Sequence, residues 1–234
     1  MHDAHFHFSK KLVSILKEKG IDGICNVSTP LEYSQIEEDI FHQAYHFSCG
    51  IHPWSVDQIS YDTFFPYLEK TNIVGEIGLD NTWCQTDLSL QKEVFEKQLQ
   101  YASASKKTVI LHLKGMEKEG LKLIKKYPNT YIVHWHSSMD CIQEFKEMGC
   151  FFTIGPSVGM DACVDEVVKQ VDLDHLLIES DGISALEWAF ETSSVDYLYC
   201  LNRSLQEISR IKNLSVEQIE EQLDLNFKKI CAIV

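Results

Sequence analysis

Arginine is nearly missing from this chain. Only Arg203 and Arg210 occur in 234 residues, and 21 basic side chains face 35 acidic ones, for a net charge of −14. Surfaces that hold nucleic acid by general charge attraction need the opposite balance, so extended duplex binding is not expected. No apolar run reaches the roughly 18 residues of a membrane span. The opening MHDAHFHFSKK has no apolar segment of the kind a secretory signal carries. No Gly/Ser/Pro-rich linker, low-complexity tract or internal repeat divides the sequence. There are eight cysteines but no C-x-x-C pair, and several sit in apolar runs such as Gly23-Ile24-Cys25 and Cys150-Phe151-Phe152. They are expected to be reduced, buried thiols of a cytoplasmic protein, not disulfides or zinc ligands. With 44% hydrophobic and 24% charged residues, what remains is an ordinary folded globule with one sizeable core.

Short apolar runs alternate with longer amphipathic stretches. Strands are expected at 3–8, 21–27, 45–50, 73–79, 108–113, 130–134, 151–154 and 175–179. Helices are expected at 88–105, 117–127, 141–148 and 162–171; the first carries Leu88, Val94, Phe95, Leu99 and Ala102 on one face. Strand and helix in strict alternation indicate parallel βαβ units. Eight strands in that order point to a closed (β/α)8 TIM barrel, with a doubly wound open sheet as the alternative. The chain is expected to form a single domain over 1–234, with two or three C-terminal helices from about 195 packed on the barrel and Ser215 as an N-cap.

The histidines and carboxylates are not scattered over this pattern. His5, His7, His52, His112, His134 and His136 fall at or just past the C-terminal ends of expected strands, as do Glu76, Asp80 and Asp181. In a barrel those ends form the rim on which active sites are built. Alternation along a strand puts Asp3, His5 and His7 on one side, Glu76 with Asp80, His112 with Lys114, His134 with His136, and Glu179 with Asp181. A carboxylate such as Glu76 in an apolar strand is costly unless neutralised, and a metal ion neutralises it directly.

Imidazole and carboxylate donors without thiolates suit Zn, Mn or Mg in a catalytic site better than a structural zinc cage. Two divalent ions ~3.5–4 Å apart can share one carboxylate and stabilise both attacking and leaving oxygens of a displacement. Glu76 is placed to bridge, His5 and His7 to serve one ion, and His112 and His134 the other. Asp181 would complete a site and take a proton from water.

These residues lie in a longer series of motifs. In order they are Asp3-Ala-His5-Phe-His7, Gly50-Ile-His52-Pro53-Trp54 and Gly75-Glu76-Ile-Gly78-Leu-Asp80. Then come Gln91-x3-Phe95-x2-Gln98-Leu99-x2-Ala102, Val109-Ile-Leu-His112, His134-x-His136-Ser137 and Glu179-Ser180-Asp181. The series resembles the TatD family of metal-dependent hydrolases, within the amidohydrolase-like barrels, over roughly residues 1–181. The resemblance implies a dinuclear site held by His5, His7, Glu76, His112, His134 and Asp181, with Glu76 where related barrels use a carbamylated lysine. It also implies phosphodiester cleavage of the deoxyribonuclease type, often exonucleolytic.

The periphery departs from the family pattern. Leu113-Lys114-Gly115 stands where Ser-Arg-Asp is usual, so a charge is kept but the bidentate fork is lost. Asp181-Gly182-Ile183-Ser184 lacks the usual Ala-Pro, and Glu187-Trp188-Ala189-Phe190-Glu191 replaces an Arg- and Asn-containing segment. The expected substrate is therefore a short or single-stranded nucleic acid, or a small phosphoester. His52, Lys114 and His136 are the candidates for phosphate contact, and Trp54, Trp83 or Trp135 for stacking on a base, with Trp135 expected to face outward into packing. The competing readings are hydrolysis of an amide, lactone or small phosphoester at the same site, and a non-catalytic metal-binding scaffold.

Overall fold

The structure, a computed structural model, describes residues 1–38 and 46–233. The expected start of the third strand at Tyr45 and the final Val234 lie outside the described residues. Eight parallel strands pair in sequence order: β1 His2–His7, β2 Asp22–Val27, β3 His46–Cys49, β4 Ile73–Asp80, β5 Thr108–Lys114, β6 Tyr131–Val133, β7 Phe151–Ile154 and β8 Leu176–Ile178. Between them run α1 Lys10–Lys19, α2 Pro30–Glu38, α3 Tyr61–Glu69, α4 Leu88–Ala104, α5 Glu117–Ile124, α6 Ile142–Glu147 and α7 Ala162–Gln170. After β8 come α8 Ile183–Ala189, α9 Tyr197–Lys212 and α10 Val216–Ile233. Strands and helices form the nearly closed TIM barrel that the alternation implied.

The local signals act as their chemistry requires. Ser9 accepts the Leu12 N–H at 3.1 Å to start α1, and Asp87 accepts from Ser89 and Leu90 to start α4. The α4 stripe is buried at Val94, Phe95, Leu99 and Ala102. Ser215 and Gln218 cap α10 reciprocally: each side chain accepts the other's backbone N–H, at 3.3 and 3.0 Å.

Two apolar layers result. The outer one packs helices on the outward strand faces, including Val109, Leu111 and Leu113 of β5. The inner one fills the bottom of the barrel with Ala4, Ile24, Ile110 and Ile132, and α10 closes that end by inserting Phe227 and Ile230. Apolar filling below leaves the upper, C-terminal end for polar groups. Among the described residues no helix is long and apolar enough to cross a membrane.

Strict alternation fails in two strands, and both failures shape the rim. The β1–β2 register shifts between Asp3 and Phe6, and the β4–β5 register between Val74 and Ile77. The shift in β1 puts Ala4 in the inner layer and separates Asp3 from His5. The expectation that Asp3 joins His5 and His7 at the site is thus corrected. Asp3 instead accepts from the Ser180 N–H (2.9 Å), the Ser180 hydroxyl (2.5 Å) and the Tyr197 hydroxyl (2.8 Å). It ties β8 and α9 to β1. The same seam is closed by the Asp181 N–H, which donates to the His5 carbonyl at 3.1 Å.

Candidate metal centre

Glu76 lies at the centre of the rim, 1% exposed, with its two oxygens turned to different partners. Oε2 faces His5 Nε2 and His7 Nε2, each at 3.4 Å. Oε1 faces His112 Nδ1 at 2.6 Å, His134 Nε2 at 3.4 Å and His52 Nε2 at 3.6 Å. Asp181 Oδ1 lies 3.5 Å from His5 Nε2, 3.4 Å from His7 Nε2 and 3.9 Å from His134 Nε2. Strands β1, β4 and β5 and the ends of β3, β6 and β8 thus deliver six histidine or carboxylate groups, plus His52, to one place.

Gly78 permits this approach of β4 to β5, because a Cβ there would stand 1.8 Å from the His112 carbonyl oxygen. Asp181 adopts a positive φ of 58°, a conformation Asp tolerates better than most residues.

The donor set fits divalent ions. His5 Nε2, Glu76 Oε2 and Asp181 Oδ1 are buried atoms with no hydrogen-bond partner, and they point at one another. Such orphans are expensive unless something else satisfies them. Among the described residues, three groups have donor atoms mutually within 4.8 Å: His5, Glu76 and His134; His5, His7 and Asp181; and His52, Glu76 and His112. Glu76 belongs to two of them.

A further ring of groups orients the first. His134 Nδ1 pairs with Glu179 Oε2 at 2.9 Å, and His112 Nε2 with Asp80 Oδ2 at 3.1 Å. The Trp54 indole N–H donates to the same Asp80 oxygen at 2.7 Å. Carboxylates behind metal-binding imidazoles fix tautomer and ring angle. Two glutamines of α4 hold the backbone that carries these groups. Gln98 bonds both the N–H and the carbonyl of Ile51, next to His52, and Gln91 does the same for Asp80.

The electrostatics follow from burial against opposite charge. Burial works to raise the Glu76 carboxyl, but the surrounding His134, His52 and His112 hold it well below the usual carboxylate range. Burial opposes ionisation of Asp181 too, and His134, His5 and His7 bring it down to about 2. Burial would depress His5, yet the Asp181 and Glu76 carboxylates raise it well above an ordinary histidine. Burial and the neighbouring His112 push His52 down to about 4, so it stays neutral at pH 7. Ionised carboxylates facing imidazoles that hold their protons form a ligand set in which a divalent ion would displace those protons on binding.

The expected rim residues divide. The structure brings His5, His7, Glu76, His112, His134 and Asp181 together and adds His52, expected only as a phosphate contact, against Glu76 and His112. It does not bring His136 in. Strand β6 ends at Val133, Trp135 turns to a φ of 33°, and alternation stops there. His136 packs instead on Phe145 and Phe152, 2% exposed, with Nε2 on the Asp140 carbonyl at 3.0 Å. Lys114 sits at the mouth, donating to the Trp135 carbonyl. Glu179, Gln91 and Gln98 were not expected to serve the site; buried polar residues within apolar patterns were the available signal.

Histidines and carboxylates converging at the C-terminal rim of a TIM barrel define a metal-dependent hydrolase. The chain belongs to the TatD-related DNase family, whose model matches residues 2–232. It is similar to the human 3'-5' RNA nuclease TATDN2, 28% identical over 156 residues, which are 62% of this chain and 20% of that protein. It is likewise similar to the Bacillus subtilis metal-dependent hydrolase YabD, 27% identical over 176 residues, 70% of this chain and 67% of that one. In fold it matches the Escherichia coli TatD homologue YjjV at a TM-score of 0.79 and 18% identity, covering 98% and 97% of the two chains. A TatD-family hydrolase of Entamoeba histolytica matches at 0.80 and 13% identity, with the same coverage.

Proposed function

We propose that this TatD-family hydrolase cleaves phosphodiester bonds in short or single-stranded nucleic acid, deoxyribonucleotide chains foremost, using two divalent ions. The observation that carries this reading is the division of the Glu76 carboxylate, one oxygen facing His5 and His7 and the other His52, His112 and His134. His5, His7 and Asp181 would hold one ion, and His52, His112 or His134 the other, with Glu76 between them. Divalent ions there supply Lewis-acid stabilisation of phosphoryl oxygens and lower the pKa of water.

The chain's own groups do the rest. Asp181, ionised and 16% exposed at the edge of the cavity, accepts the proton of the attacking water. Asp80 and Glu179 keep the His112 and His134 rings oriented through the reaction. Lys114 supplies positive charge to a phosphate at the mouth. The cysteines, eight unpaired thiols, accord with a cytoplasmic setting.

The test is hydrolysis of end-labelled single-stranded DNA and RNA oligonucleotides by protein stripped of metal and reloaded with Zn, Mn or Mg, with metal counted per chain. Metal-dependent cleavage with two ions per chain is expected. Turnover of amides or lactones but of no phosphodiester would overturn the substrate class, and no turnover of any substrate despite two bound ions would favour a scaffold.

A further inference from the structure

All four tryptophans of the chain line one cavity of about 380 Å³ that opens on the candidate centre, whose His112, His134 and Asp181 form part of its wall. They arrive from four separate connections: Trp54 after β3, Trp83 after β4, Trp135 after β6 and Trp188 on α8. Trp54, Trp83 and Trp188 are 49%, 59% and 63% exposed. Large apolar side chains gathered and left open at one mouth mark a binding surface.

The rings are arranged as walls. Trp188 stands 6.0 Å from Trp83 at 80° and 6.1 Å from Trp135 at 72°. The indole N–H groups of Trp54 and Trp135 are already engaged, on Asp80 at 2.7 Å and Ser157 at 2.9 Å. Gly155 clears room for Trp135, since a Cβ there would lie 2.5 Å from its ring. Trp135 is both packed in the outer layer and part of the cavity wall.

Charge at this mouth is sparse. Among the described residues lining it, Lys114 alone is a lysine or arginine. Both arginines are occupied elsewhere: Arg203 donates to the Pro156 and Val158 carbonyls, and Arg210 to Glu207. Past Trp188 a second hollow shares Ser157 and Asp161 with the first and is bordered by Glu187 and Glu191, which would repel further phosphates.

We infer that the tryptophan-lined mouth is a nucleobase-stacking subsite, which grips the base next to the scissile phosphodiester by its aromatic face and ends the binding cleft within one or two nucleotides. Stacking here does what an arginine fork does elsewhere, and it tolerates any base because every base has a π-face. The inference rests on the phosphodiesterase reading and specifies its substrate as short strand ends.

The experiment is calorimetric binding of thymidine 5'-monophosphate and of deoxyribose 5-phosphate to metal-loaded protein, for the wild type, Trp188→Ala and Trp188→Phe. The base is expected to tighten binding roughly 5- to 150-fold in the wild type. Trp188→Ala should lose at least half of that increment on a logarithmic scale, and Trp188→Phe should keep most of it. Equal affinity for the two probes in the wild type, or an undiminished increment in Trp188→Ala, overturns the subsite. Cleavage of a dinucleotide and of its abasic counterpart, run in parallel, separates the two claims. A base increment without cleavage of any phosphodiester sinks the hydrolase reading alone, whereas equal cleavage of both substrates sinks the stacking alone.

Discussion

Asp181 meets His5 twice, once through its backbone N–H on the His5 carbonyl at 3.1 Å and once through Oδ1 facing His5 Nε2 at 3.5 Å. The first contact closes the barrel between β8 and β1, and the second belongs to the candidate metal centre. The barrel seam and the candidate site therefore share one residue pair in this protein. The two contacts can still be separated by mutation, because one uses the main chain and the other a side chain.

Asp181→Asn keeps the seam and the shape of the residue but removes its charge. Hydrolysis should fall by about 10²–10⁴-fold, the usual worth of a positioned acid–base group. The melting temperature should change little, and elemental analysis should find most of the metal retained. Wild-type turnover in this variant would take Asp181 out of the mechanism.

His5 faces both carboxylates of the centre, Glu76 and Asp181. Elemental analysis of His5→Ala should show fewer than the wild-type number of ions per chain after dialysis. Unchanged metal content would refute the assignment of His5 as a ligand.

Asp3 serves the seam from behind. Replacing it with Ala leaves the Ser180 N–H and hydroxyl and the Tyr197 hydroxyl without their acceptor. A loss of about 2–4 kcal/mol is expected by denaturant titration, since buried unpaired donors cost about 1–3 kcal/mol each.

The same residue gives a pH signature. Burial raises the Asp3 carboxyl to about 6 from an ordinary 3.8, against the pull of its three donors. A folded-state value above the unfolded one means that the native chain holds the proton longer. Its stabilising share is complete below pH ~4 and is lost as pH rises through about 6. The stability advantage of the wild type over Asp3→Asn should therefore shrink across that window, by about 3 kcal/mol, and be flat above it. A difference that grows with pH over that window would show that the carboxyl is lowered instead.

Salt dependence should be shallow. With Lys114 the one lysine or arginine among the described residues lining the mouth, the slope of log kcat/KM against log salt on single-stranded substrate should be near −0.7. Lys114→Ala should flatten it. A slope several times steeper in the wild type would reveal phosphate contacts beyond this mouth.

Much of this architecture is legible in the sequence because composition and period carry it. The apolar run of β5 and the stripe of α4 appear where they do because one face of each must be buried, and the Ser215 cap follows from a serine three residues before Gln218. The ligand-type residues are legible because carboxylates and histidines at the ends of apolar strands have few other uses. The register shifts in β1 and β4 are not legible: a one-residue slip reverses the side on which every neighbour lies without changing composition. That is why Asp3 falls elsewhere than alternation places it, whereas His136 does so because β6 ends at Val133 and Trp135 turns to a φ of 33°. Nor does Trp188 declare itself, since its partners Trp83 and Trp135 lie 105 and 53 positions before it and are joined to it only by the closed barrel.

The four tryptophans have an optical consequence. Every indole in the chain lines the same cavity beside the candidate centre, and none is spent as a remote core reporter. The tryptophan emission of the folded protein, excited selectively near the red edge of its absorption, therefore comes from that mouth, and its intensity and wavelength report on what occupies it. Where most proteins average their fluorescence over sites with no bearing on function, this one carries a built-in, label-free probe of its own cleft.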